Sequence, residues 1–387
     1  MKKKILLGLV FVLFFTKNSE AQQDSIANNT LFFRIENLNF VKNNEYFNHI
    51  ADGYTLLGSQ LHPKLTFYPY SKAKLELGVF ALKYAGLVGY HKVLPTFSFS
   101  YTNKNSVFVM GTLDSQDKHH VIDPLLGFES VLDERSIENG LQYQYSNSKI
   151  GFDAWLNWEK FIFKKDTHNE EFVMGLSFEY DILRKKDWTI KLPIQNLFYH
   201  RGGQINTNEI DDRTVFTMRH TALGLKLGKQ FNEDKKLKAE SYFIQHQSNR
   251  EPEEFVFETG FAWYTHIDFF YKSFSFGLGH WYGDRFVSPK GDAMFQSVSS
   301  KTDIYYVDGV LQEIYANHTD PIRSLILGQL SYNKSLFQGL DFGLKTNLFY
   351  QNYYSNPTLN VPENAIKNHL DYSIGLYVKY KGKYRIY

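Results

Sequence analysis

A transmembrane antiparallel β-barrel of about sixteen strands is what three features of this 387-residue chain predict. Apolar residues recur at every second position, the alternating segments are long, and the connections between them alternate short and long. Ile150, Phe152, Ala154, Leu156 and Trp158 fall on one face, while Gly151, Asp153, Trp155, Asn157 and Glu159 fall on the other. The same period runs through Phe172–Ile182, Phe255–Phe269 and Leu340–Tyr350, where a helix would need matches at three and four. Segments of about ten residues suit a tilted strand crossing a bilayer, whereas soluble strands average about five or six. Tight turns at Tyr70–Lys72, Thr102–Asn105, Asn147–Lys149, Arg184–Asp187, Asn232–Lys236 and Lys272–Ser273 alternate with much longer connections. The longest are the loops 114–139 and 283–323. Short periplasmic turns and long outer loops produce this rhythm, and an even strand count places both termini on the periplasmic side.

Taken in order, the chain begins with Lys2, Lys3 and Lys4, an apolar run from Ile5 to Phe15, and a small-x-small site at Ser19-Glu20-Ala21. This reads as a signal peptide over residues 1–21, because the run is too short to cross about 30 Å of hydrocarbon as a helix. Residues 22–387 then form a single barrel domain of fourteen to eighteen strands, from near Leu31 to Tyr387, located in the outer membrane. The absence of cysteine excludes disulfides, thiolate metal sites and cysteine nucleophiles. A net charge of +2 gives no case for nucleic acid. The 27 Tyr and 34 Phe suit pleated surfaces and membrane interfaces. Pro63 and Pro193 fall inside strands and predict bulges or strand ends there.

The phase opposite the apolar one is rich in glycine (Gly175, Gly224, Gly260 and Gly277 among them), which lets a neighbouring ring lie flat. It also carries both charge signs. Lys64, Lys74, Glu76, Asp153, Asn157, Glu159, Glu179, Asp181, Lys191, Glu258, His266, Asp268, Asp341 and Lys345 are predicted to point inward. They read either as a pore lining acting through local field or as a plugged interior in which they pair.

The overall pattern resembles porin-type outer-membrane barrels. Phe152-Asp-Ala-Trp-Leu-Asn-Trp-Glu-Lys-Phe-Ile162, Glu170-Glu-Phe172 and His200-Arg-Gly-Gly-Gln-Ile205 are similar to stretches in outer-membrane barrels of the Bacteroidota. The resemblance implies a terminal aromatic residue in the outward phase of the last strand. Tyr387 is aromatic, but Tyr372, Ile374, Leu376, Val378 and Tyr380 have the opposite phase, so a bulge at Gly382 is needed to restore register.

Two segments carry candidate chemistry. Loop 114–139 is long enough to fold inward or to pack over the rim, with a short amphipathic helical turn over Pro124–Leu132. Asp117, Lys118, His119, His120, Asp133, Glu134 and Arg135 are its polar members. His119 and His120 point in opposite directions on an extended chain, so no metal is assigned. His246-Gln-Ser248-Asn249 is similar to a pattern in outer-membrane phospholipases and lipid A deacylases. That resemblance implies His246 as base, Ser248 as nucleophile and Glu258 as orienting carboxylate. The chain departs from it at Arg250, and the barrel register turns His246 inward.

The sequence therefore favours a porin-like channel or small-solute transporter, without cofactor. An accessory barrel of an envelope secretion or assembly complex is the alternative, with Tyr305, Tyr306, Leu311, Ile314 and Tyr315 as a partner surface. An outer-membrane lipid hydrolase using His246 and Ser248 is the second alternative. Expected partners are outer-membrane lipids, small solutes or envelope proteins.

Overall fold

The computed structural model describes residues 28–115, 117–163, 166, 168–202, 215–249, 256–301, 303–307, 310–314, 319–352 and 369–387. The predicted signal segment 1–21 lies outside them, as do Arg250 and Tyr315. The strands are β1 Thr30–Glu45, β2 Thr55–Tyr70, β3 Ala73–Tyr84, β4 Lys92–Asn103, β5 Ser106–Thr112 and β6 Asn139–Ser146. They continue with β7 Ile150–Lys160, β8 Glu170–Lys185, β9 Trp188–Gly202, β10 Phe216–Gln230, β11 Lys235–Ser248 and β12 Thr259–Tyr271. The last are β13 Phe274–Asp284, β14 Asp303–Val307, β15 Val310–Ile314, β16 Ile322–Phe337, β17 Leu340–Asn352 and β18 His369–Arg385.

Sixteen of these strands close one antiparallel barrel in which β1 pairs with β18, while β14 and β15 form a separate hairpin. Closure satisfies the backbone within the sheet, which hydrocarbon demands of a spanning segment. The period of two sorts the side chains. Leu57, Leu61 and Leu65 of β2 and Leu223, Leu225 and Leu227 of β10 face outward and are exposed. Their neighbours His62, Thr66, Ala222 and His220 face the lumen and are buried. Tyr101, Trp188, Tyr271 and Phe274 gird the outer surface near the periplasmic turns, and Trp158, Phe161 and Trp263 gird it near the opposite rim.

Three local expectations are corrected. Around Pro193 the β9–β10 ladder omits its bonds between Leu223–Ile194 and Lys226–Lys191 without losing register, and β2–β3 does the same around Pro63. The bulge on β8 lies instead between Asp181 and Leu183. The β1–β18 ladder runs in unbroken register from Arg385 to Tyr372, so Gly382 carries no bulge. Tyr384 keeps the outward phase, and Tyr387 lies just beyond the strand, exchanging backbone hydrogen bonds of 2.9 and 3.2 Å with Leu31.

β5 and β6 are only 7 and 8 residues long. About nine to eleven residues are needed to cross the hydrocarbon, so the chain leaves these strands at membrane depth. Irregular backbone there is tolerated only inside the protein, which forces segment 113–138 into the lumen. The departure is built on the facing pair Gly111 and Gly140. Gly111 has φ +98°, and a Cβ on it would sit 2.2 Å from the Phe97 carbonyl oxygen, so a side chain is excluded.

A second inward segment, 285–300, meets the first. Gly127 N–H donates to Lys290 O at 2.8 Å, Asp292 N–H to Asp123 O at 3.0 Å, and Ser288 Oγ to Leu125 O at 3.2 Å. Leu125, Leu126, Phe286, Val287, Met294 and Phe295 are buried in one cluster with wall residues Tyr242, Trp281 and Leu325. Together the segments form a plug in the outer half of the lumen. Arg323 of β16, 0% exposed, anchors it. Its Nη1 donates to Met294 O at 2.7 Å and Gln296 O at 2.6 Å, and its Nη2 donates to Gln351 Oε1 at 2.7 Å.

Replacing Arg323 by leucine leaves these acceptors buried and unpaired, at about 1–3 kcal/mol each. Amide hydrogen exchange across Phe286–Val298 is expected to quicken at least about tenfold in Arg323→Leu while the barrel strands keep their protection. Unchanged exchange would show that the arginine does not hold the plug.

Candidate functional site

All the lumen-assigned strand residues point inward, and most are paired. Lys64 reaches Glu36 at 2.8 Å, Lys74 reaches Glu76 at 2.7 Å, and His266 reaches Asp268 at 3.1 Å. Lys191 and Lys226 both hold Glu179, and Asp181 takes Arg184 Nε at 2.7 Å. Glu159 binds Lys290 of the plug, Asn157 Oδ1 accepts the Asn139 N–H at 3.0 Å, and Asp341 accepts from Ser335. Lys345 Nζ lies 4.8 Å from the centroid of the Phe128 ring. Glu258 instead precedes β12 and is exposed, its backbone oxygen accepting the Ser248 N–H at 2.7 Å. Beneath the plug a chamber of about 660 Å³ extends toward the periplasmic end between β1 and β6, lined by Arg34, Glu36, Lys64, Glu76, Lys118 and Lys379 among others.

Segment 113–138 folds inward, and its helical turn is a short 3-10 piece at Phe128–Val131. Its polar members separate. Lys118 and Arg135 line the chamber, whereas the His119 ring is fully buried. His119 Nε2 lies 2.7 Å from Glu138 and Nδ1 3.0 Å from Asp153, with the ring stacked on Trp155 at 3.9 Å and 6°. Trp155 in turn lies over Gly175, where a Cβ would come within 2.0 Å of the indole. Lys118, His119 and His120 all have positive φ (47°, 53° and 61°), a left-handed run that costs each residue about 1–2 kcal/mol. Burial alone would lower the His119 pKa, but hydrogen bonds to Asp153 and Glu138 and the field of both carboxylates outweigh it, raising it to about 9. With both nitrogens engaged, this imidazolium is a clamp and not a base free to take a proton.

His246 and Ser248 share the inward face of β11, under the plug. The His246 ring is 0% exposed, 5.8 Å from Phe286 and 5.9 Å from His220, with Nε2 3.4 Å from Phe257 O. Ser248 Oγ lies 3.4 Å from Glu258 O. The packing places both on the lumen side, away from the outer leaflet.

The truncated β5–β6 hairpin has a second consequence. β5 meets β4 only at Ser98–Asn103, and β6 meets β7 only up to Asn157. Above that level Lys92–Phe97 of β4 and Trp158–Lys160 of β7 have no strand between them, so the wall is notched on the outer-leaflet side. Leu132 and Ile137 of the inward segment back the notch in one apolar cluster with Leu94. At its upper rim the β3–β4 loop exposes Leu87 and Val88, pinched between Gly86 and Gly89 at φ +85° and +83°, and Tyr90 just after them. His91 follows directly. Its Nε2 stands 3.5 Å from Glu134 Oε2, its ring is 5.1 Å from Tyr84, and both His91 and Glu134 are about 40% exposed. Arg135 Nε donates to Asp133 at 2.8 Å beside them, and Tyr54, Lys42 and Asn44 converge on Glu129 deeper in. Sequence reasoning named Glu134 but missed His91, because their proximity depends on the inward path of a loop 43 positions away.

A family model described as lipid A 3′-O-deacylase-type matches residues 20–387. No curated protein matches the chain. Among solved structures, OprD of Pseudomonas aeruginosa is similar at 9% identity over 93% of this chain and 97% of that one, with TM-score 0.52. OccAB2 of Acinetobacter baumannii is similar at 12% identity over 91% and 98%, with TM-score 0.51. A loop-deleted OmpT of Vibrio cholerae is similar at 11% over 92% and 99%, with TM-score 0.50. Those likenesses carry the fold alone. The family match overturns the porin-like channel expected from the sequence, which rested on features that any barrel of this size shares.

The clamp predicts a pH dependence. A His pKa raised from 6.5 to about 9 contributes stability that is complete below 6.5 and is lost as pH rises through 9. Tryptophan fluorescence of the folded barrel should therefore change with a midpoint near 9, as the ring stacked on Trp155 deprotonates. His119→Gln should abolish that transition. A transition surviving in the variant would assign it elsewhere.

Proposed function

The chain belongs to the lipid A 3′-O-deacylase-type family, and from that premise we propose that it is an outer-membrane hydrolase releasing an ester-linked acyl chain from lipid A. The observation that carries the assignment to a site is the exposed His91–Glu134 pair at the notch in the wall. An ester at the boundary of headgroup and acyl chain lies at rim height. The notch, backed by Leu132 and Ile137, gives an acyl chain a sideways path that a complete wall would deny. The apolar tip Leu87–Tyr90 supports that path from above.

Glu134 faces His91 Nε2 and orients the ring, leaving Nδ1 with no partner among the described residues. Nδ1 accepts a proton from water as the water oxygen attacks the acyl carbonyl carbon. The carbonyl–sugar oxygen bond then breaks, the proton passes from His91 to the sugar oxygen, and a fatty acid and a sugar hydroxyl result. A separation of 3.5 Å is loose for a base and its orienting group, and such contacts tighten on substrate binding.

A second reading keeps the chemistry at His246 and Ser248. It is favoured by their shared face on β11, and it requires the 285–288 stretch to lift from the His246 ring.

Acyl release from purified lipid A, followed by mass spectrometry, separates the two. His91→Gln is expected to lower the rate at least about hundredfold, Glu134→Gln less, and Ser248→Ala not at all. Full activity in His91→Gln would overturn the rim assignment, and loss in Ser248→Ala would move the reaction to the β11 lumen.

A further inference from the structure

The lipid-facing wall is mostly apolar; isolated polar groups such as Asn37 and Asn39 of β1 and Ser241 and Thr265 of β11 and β12 are hydrogen-bonded to each other, and a broader polar patch near the rim spans three neighbouring strands. Outward positions of β9, β10 and β11 fall into lateral rows set by the ladder register. Leu223 and Phe243 share one apolar row. The next three rows toward the rim are Asn196, Thr221 and Gln245, then Phe198, Arg219 and Gln247, then His200, Thr217 and Asn249. At the same heights β8 presents Leu176, Met174 and Phe172, and β12 presents Phe261 and Thr259. The polar groups are partly tied to one another: Thr221 Oγ1 donates to Asn196 Oδ1 at 2.9 Å, and His200 Nδ1 lies 2.9 Å from Thr217 Oγ1. The His200 ring stacks on Phe172 at 4.7 Å. Arg219 is exposed, and no carboxylate pairs with it among the described residues. Gln245 and Gln247 are exposed beside it.

Height identifies the neighbour. Trp188 marks the periplasmic girdle, and Phe198 stands ten residues further along β9. At about 3.3 Å per residue and a tilt near 40°, that is about 25 Å, the thickness of the apolar band of such barrels. Arg219 and His200 therefore stand at the level of outer-leaflet headgroups. An arginine there is tolerated, but amide and hydroxyl groups across three strands gain nothing from acyl chains.

We propose that this patch is a binding site for the phosphorylated sugar headgroup of an outer-leaflet glycolipid, separate from the His91 notch. Arg219 pairs with the phosphate, and Gln245, Gln247 and Thr221 meet sugar hydroxyls. The described residues of the patch include no acidic side chain, so its charge complements a phosphate. Phe172, Phe198 and Phe261 border it with rings suited to the first carbons of the acyl chains. The proposal stands whether or not His91 hydrolyses the lipid.

The test uses the full chain in detergent micelles, in wild-type and His91→Gln forms, with retention of monophosphorylated lipid A read by native mass spectrometry. The expected result is retention of the phosphorylated lipid over its dephosphorylated form, weakened about tenfold by Arg219→Leu and less by Gln247→Leu. Both variants place apolar groups on a lipid-facing wall, so the barrel should fold, as judged by heat-modifiable mobility. Equal retention of the two lipids, or undiminished retention in Arg219→Leu, overturns the proposal. So does a loss of oligomers in Arg219→Leu with lipid retention unchanged, which would make the patch a contact between copies of the chain.

Discussion

Everything in this molecule follows from the rule that backbone polar groups in hydrocarbon must find partners within the protein. The rule closes β1 onto β18 and keeps that ladder regular to the last residues of the chain. Where β5 and β6 fall short of the bilayer, the same rule sends their connection inward instead of outward. One local shortfall thus creates both the inner half of the plug and the notch in the wall.

The plug changes what a barrel of this diameter is for. In a channel the inward charges would act on passing solutes. Here Lys64 is occupied with Glu36, Glu76 with Lys74, Lys191 with Glu179, and Glu159 with Lys290 of the plug itself. Arg323 shows the same economy from the wall side, since its guanidinium serves two carbonyls of the inserted segment. The lumen is a scaffold that fixes loop positions at the rim, and the rim and outer wall are where lipid meets the protein.

How much was legible in the sequence follows from the range of each interaction. A period of two is local, so strand identity, facing and the rhythm of turns could be read directly, including the inward direction of Asp153, Glu179 and Lys345. The prolines misled because a missing ladder bond does not require a register change. Tyr387 misled because the outward phase ends at Tyr384 and Ile386, and the final residue sits past the strand. The rim pair could not be read, since His91 and Glu134 meet only through the inward turn at Gly111. The polar stripe on β9–β11 had a signal that was passed over: Asn196 and His200, and likewise Thr217, Arg219 and Thr221, interrupt a phase that is otherwise apolar.

The stack of Gly175, Trp155 and His119 works as a spacer of fixed thickness. The wall position without a side chain sets how far the indole lies from the sheet, and the indole sets how far the imidazole stands from the wall. The strained Lys118–His120 stretch is thereby held at one distance from β7, and through the chain that follows it so is the loop that carries Glu134. A single methyl group in the wall, far from any lipid, would therefore be felt at the rim as a change in the reach of a carboxylate.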